Sequence, residues 1–301
     1  MPCVHPLKVW RELSPDEHGK RPVHFRRPGV PFENIDLPCG QCIKCRLLKA
    51  QHWSARMDHE AREHDDNCFI TLTYDDDHLP YGGTLVKHHL QDFFKRLRKR
   101  IAPNKVRYYA CGEYGDETDR PHYHAILFGY DFEDAVFVGH RDGYPVYESE
   151  LLAKVWPFGF HEIGTVTLDS CGYVAGYCLK KVTGVNAYEH YQVIVESTGE
   201  LYDREPEFGL MSRRPGIGHD HFQKFKSDYY PADEIVFLNR GPVCPPRYYD
   251  ELLKKADPEQ YEAVRCEREK VYAEHFAEGP SLDSRETVAL ARLNLFKRST
   301  L

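Results

Sequence analysis

The chain has 301 residues, 41% of them apolar, and a formal charge of −7, which suits one large domain or a domain with appendages. No apolar run approaches the ~20 residues that a membrane span needs, and the opening residues do not read as a secretory signal. Ten cysteines without such a signal fit a reducing cytosol, as thiols or metal ligands rather than a disulfide framework.

Net acidity argues against a uniformly basic nucleic-acid binder. Positive charge is nevertheless concentrated locally, in the first 27 residues, in Lys95–Arg100 and at Arg213–Arg214. Residues 1 to about 38 mix prolines, glycines and charges and read as an irregular arm with at most a short strand. Cys39, Cys42 and Cys45 follow at three-residue steps. Two cysteines so spaced make half of a zinc site. Cys3, or else His5, is the candidate fourth ligand and would pin the arm to the next helix. The alternatives are reduced thiols on a turn or, with less support, an iron–sulfur cluster.

From about Lys44 to His64, Leu47, Ala50, Trp53, Met57 and Ala61 recur at helical steps. Asn67–Tyr74 reads as a strand. Asp75–Asp77 read as a solvated turn rather than a metal site. Val86–Ile101 is a second amphipathic helix, with Leu90, Phe93, Phe94 and Leu97 inward. The basic residues at its C-terminal end suit the helix dipole and can also meet phosphates.

Lys105–Gly112 is a strand closed by Glu113, and Arg120–Gly129 is another. Residues i and i+2 of a strand share a face, so His122 and His124 are neighbours. The turn Tyr114–Arg120 brings the second strand back antiparallel and sets the Glu113 carboxylate beside them. Two imidazoles and a carboxylate, with positions left for water and substrate oxygens, suit Mg2+ or Mn2+ acting as a Lewis acid. The bland alternative is two unrelated histidines on an edge strand.

Tyr130–Tyr147 is a loop-rich insertion, Glu148–Val155 a short helix and Phe160–Thr167 a strand. Gly172–Lys181 follows as a helix, with Ser170 as N-cap and Gly184 as stop. On it Tyr173, Tyr177 and Lys180 share one stripe, at i, i+4 and i+7. Gly172 and Gly176 each cost about 1 kcal/mol of helix propensity, which makes sense if a backbone or ligand passes close by. Asn186–Phe208 gives weak signals, with a hairpin near Ser197–Glu200. Ser212–Gly218 is either a phosphate-approaching loop or a surface turn. Helices follow at His219–Tyr229, Arg247–Lys255 and Asp257–Glu278, and the tail beyond Gly279 reads as partly disordered. The fold class is α+β, a largely antiparallel central sheet flanked by helices, with a helical C-terminal region. Its parts are 1–66 (arm, cysteine cluster and first helix), a core over 67–184, and an extension over 185–301.

Three stretches in this order, Phe69–Tyr74 (FITLTY), His122-Tyr123-His124 and Tyr173–Lys180 (YVAGYCLK), resemble the motifs of a known family. It is the HUH-endonuclease replication initiators of microviruses, the gokushovirus-like single-stranded DNA phages. Pro38–Arg46 and Ser212–Gly218 are also similar to that group, and the resemblance thins after about Asp250. It implies an RNA-recognition-like sheet and a metal-dependent, site-specific nickase of single-stranded or unpaired origin DNA. Tyr173 or Tyr177 would form a 5′-phosphotyrosine intermediate, aided by Lys180, before strand transfer and rejoining. His122, His124 and Glu113 would hold Mg2+ or Mn2+; independently of the resemblance, the cysteine spacing makes Cys3, Cys39, Cys42 and Cys45 candidates for a structural Zn2+. Arg120, Arg213 and Arg214 are the candidate DNA contacts. The expected partners are origin DNA and host helicase and polymerase in the bacterial cytoplasm, with no membrane. The rival functions are a phosphodiesterase using activated water and a non-catalytic nucleic-acid-binding module.

Overall fold

The structure is a computed structural model and describes residues 3–17, 19–141, 143–184, 186–237, 241–278 and 280–299. The chain divides into two compact units, Met1–Leu48 with Cys266–Leu301, and Lys49–Arg265.

In the first unit, strands β1 (Leu7–Glu12), β2 (Val23–His24) and β3 (Phe32–Leu37) form an antiparallel sheet in the order β2-β1-β3. The arm is thus more regular than its composition suggests. Its alternation is faint in the sequence because Val9 is the one fully buried residue of β1. The sheet runs into helix α1 (Ile43–Ala61), which continues into the second unit.

The second unit is organised around β4 (Asn67–Tyr74), helix α2 (Lys87–Ile101), β5 (Arg107–Tyr114), β6 (Pro121–Phe128), β7 (Val136–Arg141) and β8 (Tyr144–Glu148). Helix α3 (Glu150–Val155), β9 (Gly159–Gly164), helices α4 (Leu168–Ala175), α5 (Tyr177–Lys180) and α6 (Ala187–Tyr191), and a hairpin of β10 (Gln192–Ile194) and β11 (Leu201–Asp203) follow. Strand β12 (Phe208–Met211) and helices α7 (His219–Tyr229) and α8 (Arg247–Ala256) complete it. Helix α9 (Pro258–Glu278) leads back to the first unit, where α10 (Leu282–Ser299) occupies the stretch read as partly disordered. The start of α10 has local causes: Ser281 Oγ accepts the Ser284 amide at 3.2 Å, and Asp283 stands in the first turn.

Seven strands form one antiparallel sheet in the order β12-β5-β6-β4-β9-β8-β7, so the fold is α+β, with helices flanking an antiparallel sheet. The histidine strand β6 is interior, flanked by β5 and β4. One face carries Ile70, Leu72, Tyr123, Ala125 and Leu127 against Leu90, Phe93, Phe94 and Leu97 of α2, all buried. The other carries Tyr109, Ile126 and Phe128 against Met57 of α1 and Cys171, Val174 and Ala175 of α4. Period-two alternation assigns each strand residue to one of these cores. Among the described residues no helix is long and apolar enough to cross a membrane.

Candidate active site

The second face changes character along the strands. Phe128 and Ile126 of β6 lie under the helices, whereas His124 and His122, further along the same face, extend it toward the strand end. Register brings polar partners to them from both sides. Glu113 of β5 lies opposite His122 and Cys111 opposite His124; on the other flank Thr73 lies opposite His122 and Thr71 opposite His124.

Each threonine holds an imidazole by its Nδ1, Thr71 to His124 at 3.1 Å and Thr73 to His122 at 3.0 Å. Each ring is thus held at Nδ1 and turns its Nε2 away from the threonine, the orientation of metal-ligating histidines. Burial, then the neighbouring His124, pushes the His122 pKa down to about 4, so its ring is neutral at neutral pH. Gly115 passes so close that a Cβ there would lie 2.9 Å from His122 Nε2.

Glu113 is 3% exposed and His124 5%. Glu113 Oε1 accepts from the Tyr173 hydroxyl at 3.2 Å and from Lys180 Nζ at 3.3 Å, and lies 3.4 Å from His124 Nε2. Burial works to raise the Glu113 pKa, but His124 and Lys180 outweigh it and hold the group ionised. Tyr173 meets His124 edge-on, its hydroxyl 3.4 Å from Nε2, and Phe69 packs against both rings. Burial and the Glu113 charge raise the Tyr173 pKa, although the residue as a whole is 53% exposed.

Two tyrosines and a lysine on one unbroken helical stripe is not what the chain builds. Helix α4 begins one turn earlier than expected, capped by Thr167, because Thr167 and Ser170 bond reciprocally to each other's amides at 3.1 and 2.8 Å. It ends at Ala175. Three-residue hydrogen bonds, Gly176 N to Tyr173 O at 2.9 Å and Leu179 N to Gly176 O at 2.7 Å, then tighten the turn. Tyr173 and Lys180 both reach Glu113, but Tyr177 turns into the core beside Met57, Tyr109 and Cys111. Its hydroxyl would lie 2.6 Å from a Cβ on Gly209 of β12. Gly209 is opposite Cys111, which is opposite His124, so two strand spacings, about 10 Å, separate Gly209 from His124.

The candidate DNA contacts divide in the same way. Arg120 donates from Nε and Nη2 to the Tyr74 carbonyl at 3.0 and 2.8 Å and pairs with Asp76 at 2.8 Å. It ties the turn after β4 to the turn before β6. Segment 212–218 is anchored on the main unit: Arg107 donates to Pro215 O at 3.0 Å, Arg56 to Ile217 O at 2.9 Å, and the Gly218 amide to Glu60 at 2.6 Å. That anchoring leaves Arg213 and Arg214 exposed on a cleft of about 800 Å3 that Arg98, Lys105, Arg107 and His64 also line, with no carboxylate among its lining residues. The cleft adjoins Phe128, six residues along β6 from His122, about 20 Å away.

In the first unit the Sγ atoms of Cys3, Cys39, Cys42 and Cys45 all lie within 4.8 Å of one another. Among the described residues this is the one set of three or more such side chains whose donor atoms meet that spacing; His122, His124 and Glu113 stand wider. Thr71 and Thr73 escaped the reading of the sequence, because their partnership with the histidines depends on the β4–β6 register. Their places at alternate positions of a threonine-rich strand were the available signal.

The family model described as Replication-associated protein ORF2/G2P matches residues 67–182. Replication-associated protein VP4 of Bdellovibrio phage phiMH2K is 32% identical over 272 residues, covering 87% of this chain and 80% of that protein. Replication-associated protein ORF2 of Spiroplasma virus 4 is 32% identical over 295 residues, 90% of this chain and 87% of that one. Replication-associated protein ORF4 of Chlamydia phage 1 is 30% identical over 249 residues, 77% and 59% of the respective chains. No solved structure matches the chain.

Proposed function

We propose, on the premise that this chain belongs to the phage replication-associated proteins, that it initiates rolling-circle replication by nicking single-stranded or unpaired origin DNA. The observation that carries this reading is the contact of the exposed Tyr173 with both Glu113 and His124. It supports a tyrosine nucleophile at a histidine–carboxylate centre, an HUH-type endonuclease and strand transferase.

In the proposed reaction the Tyr173 oxygen attacks the scissile phosphorus. The P–O3′ bond breaks, giving a 5′-phosphotyrosine and, after proton uptake, a free 3′-hydroxyl for a host polymerase. The phenol has a raised pKa and does not ionise unaided, so its proton leaves along the hydrogen bond to Glu113. Lys180, held beside that carboxylate, offsets negative charge on the phosphate. Attack by a later 3′-hydroxyl on the phosphotyrosine reverses the step and rejoins the strand, which hydrolysis would not allow. Tyr177 is the candidate for a second transfer and acts after Tyr173, since its hydroxyl starts from the core over Gly209.

The residues fit a hard divalent ion: two imidazoles with Nδ1 held by threonines, and one carboxylate. Mg2+ or Mn2+ held by His122, His124 and Glu113 would supply Lewis acidity toward a non-bridging phosphate oxygen. Arg213 and Arg214, with Arg98 and Lys105, would hold phosphates of the DNA backbone away from the nick, while Arg120 orders the turn beside the site. Host helicase and polymerase, in the bacterial cytoplasm, are the proposed partners.

The test is a denaturing gel shift with a labelled single-stranded oligonucleotide carrying the genome's origin and Mn2+. An SDS-stable protein–DNA adduct, lost with chelator, is expected. Cleavage without an adduct would point instead to activated water, and neither product to a non-catalytic binding module.

A further inference from the structure

We propose that Cys3, Cys39, Cys42 and Cys45 bind one Zn2+ as a closed four-thiolate site that locks the chain's entry into and exit from the N-terminal sheet to the head of α1. This inference stands apart from the nicking chemistry.

The spacing is the first argument. Cys3 Sγ lies 3.7 Å from Cys39 Sγ and 3.9 Å from Cys42 Sγ, far beyond the ~2.05 Å of a disulfide. Four thiolates at the ~2.3 Å Zn–S distance of a tetrahedral site stand about 3.8 Å apart. The chain therefore holds sulfurs at the edge length of that polyhedron.

The backbone provides the second. Amides point at sulfur: Cys39 N to Cys3 Sγ at 3.3 Å, Gln41 N to Cys39 Sγ at 3.4 Å and Cys42 N to Cys39 Sγ at 3.2 Å. These contacts fix the positions of the Cys3 and Cys39 sulfurs. The knuckle that aims them requires Gly40 at φ +73°, a left-handed conformation. Cys42 immediately precedes α1 and Cys45 lies in its first turn, which contains no acidic residue, so the helix N-terminus favours negative sulfur.

Topology is the third. Leu7 pairs with Leu37 at one end of the β1–β3 ladder, so Cys3 and Cys39 leave the sheet at the same end. The small cluster there consists of the four cysteines and Val4. One valine cannot supply a hydrophobic core, and a metal clip would close the sheet instead. The geometry also chooses between the candidate fourth ligands. His5 Nε2 is engaged with Glu286 at 2.8 Å, whereas Cys3 points into the cluster.

The experiment is metal analysis of the full-length, untagged chain. One zinc per chain is expected, retained in the His122→Ala/His124→Ala double variant and in Cys244→Ser and Cys266→Ser. It should be lost from Cys3→Ser and Cys42→Ser. Because those two variants can fail to fold, the native chain is also titrated with a thiol reagent. Beyond the buried Cys68, Cys111 and Cys171, four thiols should resist it and become reactive when the zinc is removed, and Co2+ exchange should give the visible bands of a tetrahedral tetrathiolate. Stoichiometric iron in place of zinc would overturn the assignment. So would a folded, metal-free chain whose four thiols all react, or zinc lost with the two histidines rather than the cysteines.

Discussion

The four cysteines and the His122–His124–Glu113 set use metal-ligand side chains in opposite ways. The cysteines lie close together, within 4.8 Å, and their sulfurs face one another and nearby amides. The sheet set is wider, its carboxylate is shared with Tyr173 and Lys180, and it borders an exposed tyrosine. A closed set of ligands leaves no coordination position and serves structure; an open set leaves room for substrate and serves chemistry. The contrast follows from location: a turn and helix start converge on a point, whereas neighbouring strands hold side chains side by side.

That contrast can be broken most sharply by Glu113→Gln, which keeps the shape but removes the charge that would both take the proton and hold the ion. Adduct formation should fall by about 10³-fold, with the melting curve little changed. Cys39→Ser should do the reverse, lowering thermal stability and metal content while the folded fraction still nicks. Chelation is the next test. Mild EDTA should abolish nicking, while circular dichroism stays native and the cysteine-bound zinc remains until a thiol reagent is added.

Smaller changes sharpen the open site. Thr73→Val removes the hydroxyl that holds His122 and should raise the Mn2+ concentration for half-maximal nicking by about 10- to 100-fold. Gly115→Ala, which puts a methyl near His122 Nε2, should shift the same midpoint by less. A Gly115→Ala protein indistinguishable from the parent would mean that His122 Nε2 is not a ligand. The smallest effect is expected for Tyr177→Phe: stability reduced by no more than about 1.5 kcal/mol and first-strand nicking within a few-fold, read from initial rates.

How far the sequence reveals this arrangement depends on how local each contact is. His122 and His124 are two residues apart on a strand, and Glu113 reaches them through one short hairpin, so all three were legible. Thr71 and Thr73 come from β4, some fifty residues earlier, and only register joins them to the histidines. Tyr177 was misaligned because Gly176 is compatible with a continuous helix, and its i→i+3 tightening leaves no signal in periodicity. The seven-stranded sheet was readable in kind because β4 alternates clearly and β5 and β6 are short apolar and aromatic runs bounded by turns. The N-terminal sheet was not, since it buries little, and α10 was missed where a serine cap outweighed a polar composition.

The most direct test of Tyr173 as the nucleophile is to isolate the covalent protein–DNA product, digest both components and locate the nucleotide-bearing peptide by mass spectrometry. A phosphodiester on Tyr173 is expected after the first nick, with no adduct from Tyr173→Phe. A first-round adduct on Tyr177, or one that persists in Tyr173→Phe at the parental rate, would contradict it.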